Sequence, residues 1–464
     1  MIDFKNITFG YNKKQTVIED LSLHINTGEC ALVLGESGSG KSTVIKMING
    51  LIPHFYKGTM HGSVTVCEMN ITNTPMYKIS EKVGSVFQNP KSQFFNSDVS
   101  SEIAFPLENA GFAREAMQRR IDETVDFLDI KKLTDKSIFQ LSGGEKQRIA
   151  IASVCALQPD IYTLDEPSAN LDYEGIDNIK KMLVQLKESG KTIVISEHRI
   201  FYLMDIVDKI VFIEKGRLAW QATRQEFLQK TEEELHRFGL RSRTKPTLTI
   251  NEYKPSSVNV FALENIHINR YKSKEALLNN ISVRANYGDI IGIVGKNGRG
   301  KTTLMNTVCG LHPYTQGTIT WHGVKHKGKK LSEKAYMVMQ DASLSLFCDT
   351  VLEECLMSDT KLSTGECLAL LKEFELDSFK YAHPMILSGG QKQRLAIIVS
   401  QLMKKELLVF DEPTSGLDYA NMVKVSNLIK LLAAKGKIIF LVSHDRELLN
   451  LCCNELWDLD KGKF

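Results

Sequence analysis

No apolar run in this sequence approaches the roughly 20 residues that a membrane-spanning helix requires. The amino-terminal residues Met1–Lys5 enter an amphipathic pattern directly, without the charged, apolar and small-residue regions of a signal peptide. We therefore expect neither a spanning helix nor a secretory signal.

The sequence also lacks an excess of charge of one sign. Its 58 Lys and Arg residues nearly balance its 55 Asp and Glu residues, which leaves a formal net charge of +3. The overall charge gives no general attraction to nucleic acid or anionic lipid. The nine cysteines include no C-x-x-C pair, and the adjacent Cys452 and Cys453 cannot easily bridge each other. We expect reduced thiols rather than disulfides or a metal site.

What the sequence does contain is one phosphate-binding pattern, twice. Residues 35–42 and 295–302 both fit G-x-x-x-x-G-K-[ST], each after an apolar run and before a helical pattern. Glycines let backbone N–H groups approach a triphosphate, and Lys41 and Lys301 are expected to reach its β- and γ-phosphates. The predicted ATP-binding residues of the two loops are Gly35, Glu36, Ser37, Gly38, Ser39, Gly40, Lys41, Ser42 and Thr43, and Gly295, Lys296, Asn297, Gly298, Arg299, Gly300, Lys301, Thr302 and Thr303.

Three further patterns recur at a constant spacing. Leu-Ser-Gly-Gly begins at Leu141 and Leu387, an Asp-Glu-Pro follows an apolar run in each half, and His198 matches His444, each pair 246 positions apart. A repeat of this length indicates a duplicated domain. Each copy alternates apolar strands with helical patterns, which predicts an α/β fold with a mainly parallel sheet.

The expected division is a first domain over 1–240, a linker over 241–258 and a second domain over 259–464. The stretch 217–257 shows few strand signals, and residues 241–255 read as linker because they include Pro246 and Pro255. A rough helical stripe runs through Phe227, Leu228, Leu235 and Phe238, and the region from Ala113 to Leu128 is predicted to be a helical insert.

Carboxylates at the ends of two apolar runs complete the predicted chemistry. Asp165 and Asp411 can meet Mg²⁺, together with the hydroxyls of the residues that follow the loop lysines. Glu166 and Glu412 come next, and each would orient or deprotonate the attacking water. The magnesium ligands that these patterns predict are Ser42 and Asp165 in the first copy and Thr302 and Asp411 in the second.

The combination resembles the ATP-binding cassette (ABC) ATPases over nearly the whole chain. The resemblance implies two tandem P-loop NTPase domains, each with a RecA-like mainly parallel core, an antiparallel β subdomain and a helical signature subdomain. It implies ATP and Mg²⁺ as cofactors and two hydrolysing sites. It also implies head-to-tail pairing of the copies, in which Lys41 faces Ser388, Gly389 and Gly390, and Lys301 faces Ser142, Gly143 and Gly144.

The same resemblance assigns the remaining site residues. It makes Tyr11 and Tyr271 the aromatic residues that stack on adenine, since each precedes its loop by 24 positions. It makes Gln88 and Gln340 the Q-loop glutamines, which are also expected to be magnesium ligands. It makes His198 and His444 the switch histidines, and Asp172 and Asp418 the aspartates of the domain interface. The implied catalytic set is Glu166, Glu412, His198, His444, Gln88 and Gln340.

One stretch of the first copy is more specific. Residues 86–95, with Gln88-Asn89-Pro90, resemble the Q-loop of energy-coupling factor (ECF) ATPases, although Lys91 and Ser92 depart from its usual Asp-Asn. The second copy keeps only Gln340. The resemblance implies an importer of a vitamin or transition metal, placed on the cytoplasmic face of the membrane beside a coupling membrane protein and a substrate-capture membrane protein. Candidate apolar contacts with the partner are Phe94, Phe95, Leu344, Leu346 and Phe347.

Two alternatives remain open at this point. A soluble tandem cassette acting on ribosomes would have a long charged linker, whereas the stretch here is short and contains Glu232-Glu233-Glu234. The tandem ATPase of a sugar importer shares the mechanism but not the Asn-Pro Q-loop. No nucleic acid partner is expected.

Overall fold

The chain divides into two compact units in a computed structural model, which describes residues 1–12, 16–252, 260–270, 273, 275–358 and 362–461. Unit 1 comprises Met1–Lys245 with Asp418–Ala420, and unit 2 comprises Pro246–Leu417 with Asn421–Phe464. In the described residues no helix is both long and apolar enough to cross a membrane.

The elements of the first copy come in the expected alternation. Its strands are β1 (Ile2–Gly10), β2 (Ile18–Ile25), β3 (Cys30–Leu34), β4 (Thr59–Val66), β5 (Met69–Asn70), β6 (Val83–Val86), β7 (Ile161–Asp165), β8 (Thr192–Ser196), β9 (Lys209–Glu214) and β10 (Arg217–Thr223). Its helices are α1 (Lys41–Ile48), α2 (Leu51–His54), α3 (Met76–Lys82), α4 (Val99–Asn109), α5 (Arg114–Phe127), α6 (Gly143–Ala156), α7 (Tyr173–Glu188), α8 (Arg224–Gln229) and α9 (Glu232–Arg237).

The second copy repeats most of this order. Its strands are β11 (Asn251–Glu252), β12 (Phe261–Asn269), β13 (Ala276–Ala285), β14 (Ile290–Val294), β15 (Gln316–Trp321), β16 (Val324–Lys325), β17 (Ala335–Val338), β18 (Leu407–Asp411), β19 (Ile438–Val442) and β20 (Glu455–Asp458). Its helices are α10 (Lys301–Val308), α11 (Lys329–Ser332), α12 (Val351–Met357), α13 (Thr364–Glu373), α14 (Gly389–Leu402), α15 (Tyr419–Ala434) and α16 (Arg446–Cys452).

Each unit contains a six-stranded core sheet and a four-stranded antiparallel sheet. The core orders are β10-β9-β3-β8-β7-β6 and β11-β20-β14-β19-β18-β17, and all core pairs are parallel except β9 with β10. The antiparallel sheets have the orders β2-β1-β4-β5 and β13-β12-β15-β16. In sequence, helices α4–α6 lie between Gln88 and β7, and helices α12–α14 lie between Gln340 and β18. The arrangement confirms the predicted fold class.

The inner strands of the core sheets are buried on both faces, as parallel strands usually are. All five residues of β3 are buried, and so are all five of β8. The phosphate loops follow β3 and β14, which lie inside their sheets. The carboxyl ends of neighbouring parallel strands meet at one edge, so β7 and β18 deliver their terminal aspartates beside these loops.

The stretch after Arg217, where strand signals are few, contains the seven-residue strand β10. Strand β10 pairs antiparallel with β9, and Trp220 stacks on Phe212 with ring centroids 4.9 Å apart. Burial alternates regularly along Arg217–Thr223, but the inward side chains are only half-buried because the strand lies at the sheet edge. The predicted helical stripe falls on two short helices, α8 and α9. Each begins with a capping box, at Thr223 and at Thr231.

Part of the predicted linker also belongs to unit 2. Strand β11 pairs parallel with β20, although a linker was expected there. Before it, Asn450 on α16 donates to the carbonyl of Thr247 at 2.7 Å and accepts from the backbone N–H of Thr249 at 3.0 Å. These bonds depend on residues some 200 positions apart, which no local pattern reveals.

Candidate active sites

The first phosphate loop connects β3 to α1. Gly35 has φ +148°, and a Cβ there would lie 2.2 Å from the carbonyl oxygen of Ile213, so only glycine fits. The ammonium of Lys41 donates to the carbonyls of Gly35 at 2.8 Å and Glu36 at 2.9 Å. Burial lowers the pKa of Lys41, and the neighbouring charge of Glu166 opposes that shift. The loop thus holds a nearly buried cation at its centre.

A hydroxyl and a carboxylate meet at the end of β7. Ser42 Oγ donates to Asp165 Oδ1 at 3.1 Å, and the hydroxyl of Ser196 donates to the same oxygen. Burial raises the pKa of Asp165. Hydroxyl and carboxylate oxygens are ligands that Mg²⁺ accepts, but the described residues contain no group of three or more His, Cys, Asp or Glu side chains that could hold a metal ion. A magnesium ion here would need phosphate oxygens and water as its other ligands.

Glu166 is held between two predicted catalytic side chains. Gln88 Nε2 donates to Glu166 Oε2 at 2.6 Å, and His198 Nε2 lies 3.2 Å from Glu166 Oε1. Burial acts to raise the pKa of Glu166, but His198 and Lys41 more than offset it, so the pKa is lowered. An ionised glutamate is what accepting a proton from water requires.

The second unit repeats the phosphate loop and the pairing of a hydroxyl with a carboxylate. Lys301 Nζ donates to the carbonyls of Gly295 at 2.6 Å and Lys296 at 3.0 Å. Thr302 Oγ1 donates to Asp411 Oδ2 at 2.9 Å, and burial raises the pKa of Asp411. The two copies therefore bring the same side-chain types together.

The glutamates are held differently in the two units. Glu412 accepts from Ser443 Oγ at 3.1 Å and from the backbone N–H of His444 at 3.0 Å. His444 Nε2 is 3.7 Å from Glu412 Oε1, but 2.9 Å from Asn297 Oδ1 and 3.2 Å from Lys301 Nζ. In unit 2 the histidine ring thus lies closer to the phosphate loop than to the glutamate.

Both glutamates have left-handed backbones, with φ of +46° at Glu166 and +47° at Glu412. Such a conformation is uncommon for glutamate and is found preferentially at functional sites. The backbone N–H of each donates across to the neighbouring strand, at Ser196 and at Val442. This bond fixes the backbone of the glutamate at the edge of the sheet in both units.

Each Ser-Gly-Gly element begins a helix. Ser142 caps α6 in a capping box with Glu145, and Ser388 caps α14 in a capping box with Gln391. The two cap hydroxyls each accept from the backbone at 3.3 Å. Both elements therefore present the positive amino end of a 14-residue helix, which attracts anions.

Three further predicted residues are the two tyrosines expected to stack on adenine and the second Q-loop glutamine. The hydroxyl of Tyr11 is 3.3 Å from Thr43 Oγ1, which places this tyrosine beside α1. Tyr271 lies outside the described residues. Gln340 follows β17 by two positions, as Gln88 follows β6.

Sequence reasoning missed four side chains that hold these loops, namely Ser196 and Ser443 and a pair of buried acids near the histidines. Glu197 precedes His198 and is buried, and burial raises its pKa to about 8. Asp445 follows His444 and is also buried. The 246-residue spacing did not reveal the acids because their positions are not equivalent in the two copies.

Comparison with known proteins identifies the class. A family model described as ABC transporter matches residues 18–169 and 278–415. The chain belongs to this family, and its domains are ATP-binding domains with ATPase activity.

Two relatives show how far the likeness extends. An ABC transporter ATP-binding protein of Treponema denticola is 42% identical over 100% of this chain and 96% of its own length. A protein of the same description from Saccharolobus solfataricus is 32% identical over 98% of this chain and 91% of its own. A solved structure titled "Model of ribosome-bound archaeal Pelota and ABCE1" covers 98% of this chain and 76% of its own, with TM-score 0.66 and 22% identity. That last likeness shows the fold alone.

Proposed function

We propose that this chain is the ATP-hydrolysing subunit of an ECF-type membrane importer for a small micronutrient, a vitamin or a transition metal. It would lie on the cytoplasmic face of the membrane, against a coupling membrane protein and beside a substrate-capture membrane protein. The observation that carries the proposal is the bond between Gln88 and Glu166, because it joins the catalytic glutamate to the segment that resembles the ECF Q-loop.

That segment is tied at both ends. Asn89 caps a short 3₁₀ helix over Pro90–Ser92, with its side chain accepting from Lys91 N at 3.0 Å. Gln93 accepts from the backbone N–H of Phe87 at 3.3 Å and donates to the carbonyl of Ala150 on α6 at 3.2 Å. A displacement of the segment is thereby transmitted to Gln88 and to α6 together.

An apolar groove lies along the same segment. It has a volume of about 260 Å³, and its lining includes Leu51, Met76, Phe87, Phe95, Phe105 and Leu157. Phe95 is 75% exposed and stacks on Phe105 with centroids 4.9 Å apart. Exposed aromatic rings around a groove fit an apolar helix of a partner protein. Phe94, by contrast, packs against the hydrophobic core.

The second copy offers a different surface to the partner. Asp341 caps the 3₁₀ helix Ala342–Ser345, in place of Asn89. Leu344 and Phe347 are exposed, whereas Leu346 is buried. We propose that the two copies grip two different parts of the membrane partner.

The catalytic roles follow from the contacts in each unit. Lys41 and Lys301 would bind the phosphates, and Ser42 with Asp165 and Thr302 with Asp411 would hold Mg²⁺, which neutralises phosphate charge. Glu166 would accept a proton from the attacking water while Gln88 and His198 orient it. Glu412 would do the same in the second copy. Tyr11 would stack on adenine, and Tyr271 is proposed for the second copy from the resemblance.

The two copies are proposed to act as a pair. Each Ser-Gly-Gly would complete the ATP site of the other copy. Ser142, Gly143 and Gly144 would face the phosphates bound by Lys301. Ser388, Gly389 and Gly390 would face those bound by Lys41. Closure on ATP and reopening after hydrolysis would then drive the membrane partner through the Gln88 segment. The relatives described as transporter ATP-binding proteins support this assignment.

A pull-down from detergent-solubilised native membranes tests the proposal. The wild type should retain a defined integral membrane protein, and Phe95→Asp should lose it because a charge in the groove opposes an apolar helix. Leu311→Asp is the matched control, since Leu311 is 61% exposed but lies after α10 of unit 2. Equal retention by both variants, or recovery of ribosomes in place of a membrane protein, would contradict the importer assignment.

A further inference from the structure

A buried hydroxyl and a buried carboxyl join the two catalytic loops of unit 1. Ser168 lies two residues after Glu166, and Glu197 lies one residue before His198. The hydroxyl of Ser168 donates to Glu197 Oε1, and both side chains are buried. The contact therefore connects the turn that carries the glutamate to the loop that carries the histidine.

Unit 2 makes the same connection with other residues. Thr414, at the position of Ser168, donates through Oγ1 to Asp445 Oδ2 at 2.9 Å, and both are buried. The acid here follows His444, whereas in unit 1 it precedes His198. Both copies thus contain the same hydroxyl–carboxyl contact, but the acid precedes the histidine in unit 1 and follows it in unit 2.

The position of the acid changes the rest of the loop. Asp445 also caps α16 by accepting from Leu448 N at 3.3 Å, and Ser443 is left to donate to Glu412. In unit 1 the matching position after the histidine is Arg199, which donates to the carbonyl of Leu171 at 3.0 Å.

We propose that each hydroxyl–carboxyl pair, Ser168 with Glu197 and Thr414 with Asp445, is a positioning pair that sets the distance between the catalytic glutamate and the switch histidine. Both pairs are buried, and each acts through the two loops that it joins. A buried hydrogen bond suits this role, because breaking it leaves an unsatisfied polar group that the fold resists. The pair requires a carboxyl that accepts from the hydroxyl of Ser168 or Thr414, and the acid can precede or follow the histidine.

Burial, and after it the bond from Ser168 and the neighbouring charges, set the protonation state of Glu197 in the unit 1 pair. Glu166, Arg199, Tyr202 and Lys41 all interact electrostatically with Glu197. Burial raises the pKa of Glu197 to about 8, so near neutral pH the carboxyl is mostly protonated. A neutral acid adds no second negative charge beside Glu166.

Relocating the acid within unit 1 tests the proposal in the full chain. Glu197→Ser with Arg199→Asp gives unit 1 the unit 2 arrangement, and Glu197→Ser with Arg199→Ala is the matched control without an acid. A misplaced catalytic group costs up to about 100-fold in rate. We expect the control to lose at least about tenfold in kcat with KM for ATP nearly unchanged, and the relocated acid to recover most of that loss.

Equal kcat values for the two double variants would overturn the proposal. Thr414→Ser and Thr414→Val extend the test to unit 2, where only the hydroxyl-free valine should lose rate. If the Glu197 double variants fail to fold, the threonine pair decides alone, since valine fills the same volume as threonine. A valine variant as fast as the serine variant would equally overturn the proposal.

Discussion

Gln88 Nε2 lies 2.6 Å from Glu166 Oε2 and donates a hydrogen bond to it. The first of these residues belongs to the segment beside the apolar groove, and the second to the turn that follows β7. A movement of this segment would shift the amide donor of Gln88 relative to the carboxylate of Glu166. The proposed coupling between hydrolysis and a membrane partner depends on this contact.

Replacement of the loop lysines should impair hydrolysis in both copies. Lys41→Ala and Lys301→Ala each remove a cation held inside a phosphate loop, and losing one such group typically costs on the order of 100-fold in rate. Steady-state ATPase assays of each variant check this, with the exposed Lys78→Ala as control. A copy whose lysine can be replaced at full activity is not a working site.

Glu166→Gln should trap a nucleotide-bound state. The amide keeps the size of the side chain but cannot accept a proton, so the rate should fall by at least about 100-fold while ATP binding persists. Filter-binding of labelled ATP, measured beside phosphate release, checks both halves. Glu412→Gln should behave alike in the second copy, and normal turnover in either variant would remove that glutamate from the catalytic role.

The proposed head-to-tail pairing of the copies predicts which mutations share a site. Lys41→Ala combined with Ser388→Ala should cost less than the sum of the two single changes in free energy, because both act on one site. Lys41→Ala with Ser142→Ala should instead be additive. Nucleotide affinities from a double-mutant cycle check this, and the reverse pattern would contradict head-to-tail pairing.

The pH dependence of stability should contain a contribution from Glu197. Its pKa is raised by burial from 4.5 to about 8, so between these values the folded state keeps a proton that the unfolded state has released. Stability from this group is fully present below pH 4.5 and is lost as pH rises through 8. Urea unfolding at pH 5.5 and 8.5 should show a smaller decline for Glu197→Gln than for the wild type. An equal decline would place the ionisation elsewhere.

Much of the fold could be predicted because the same motifs occur in both halves of the chain in the same order. The spacing of 246 positions links the second half of each copy, and the apolar runs before Asp165 and Asp411 read as buried strands at once. The edge strands were missed for physical reasons. β10 has half-buried inward residues, and β11 is only two residues long, so its pairing comes from β20 rather than from its own sequence.

The site was predicted in residue types but not in detail. The motifs named Lys41, Asp165, Glu166 and His198, yet nothing local indicates that Glu412 accepts from Ser443 while Glu166 accepts from Gln88. Ser443 precedes His444 and bonds to Glu412, whereas Glu197 precedes His198 and accepts from Ser168 instead. The two copies therefore share the same types of site residue but hold their glutamates through different contacts.

The effect of the membrane partner on hydrolysis tests the coupling claim most directly. The measurement is kcat for ATP of the full chain, alone and in lipid nanodiscs with the membrane protein recovered from the pull-down. The account predicts that the partner changes kcat of the wild type severalfold and leaves the lower kcat of Gln88→Ala nearly unchanged. A partner that changes both rates by the same factor would contradict transmission through Gln88 and Glu166.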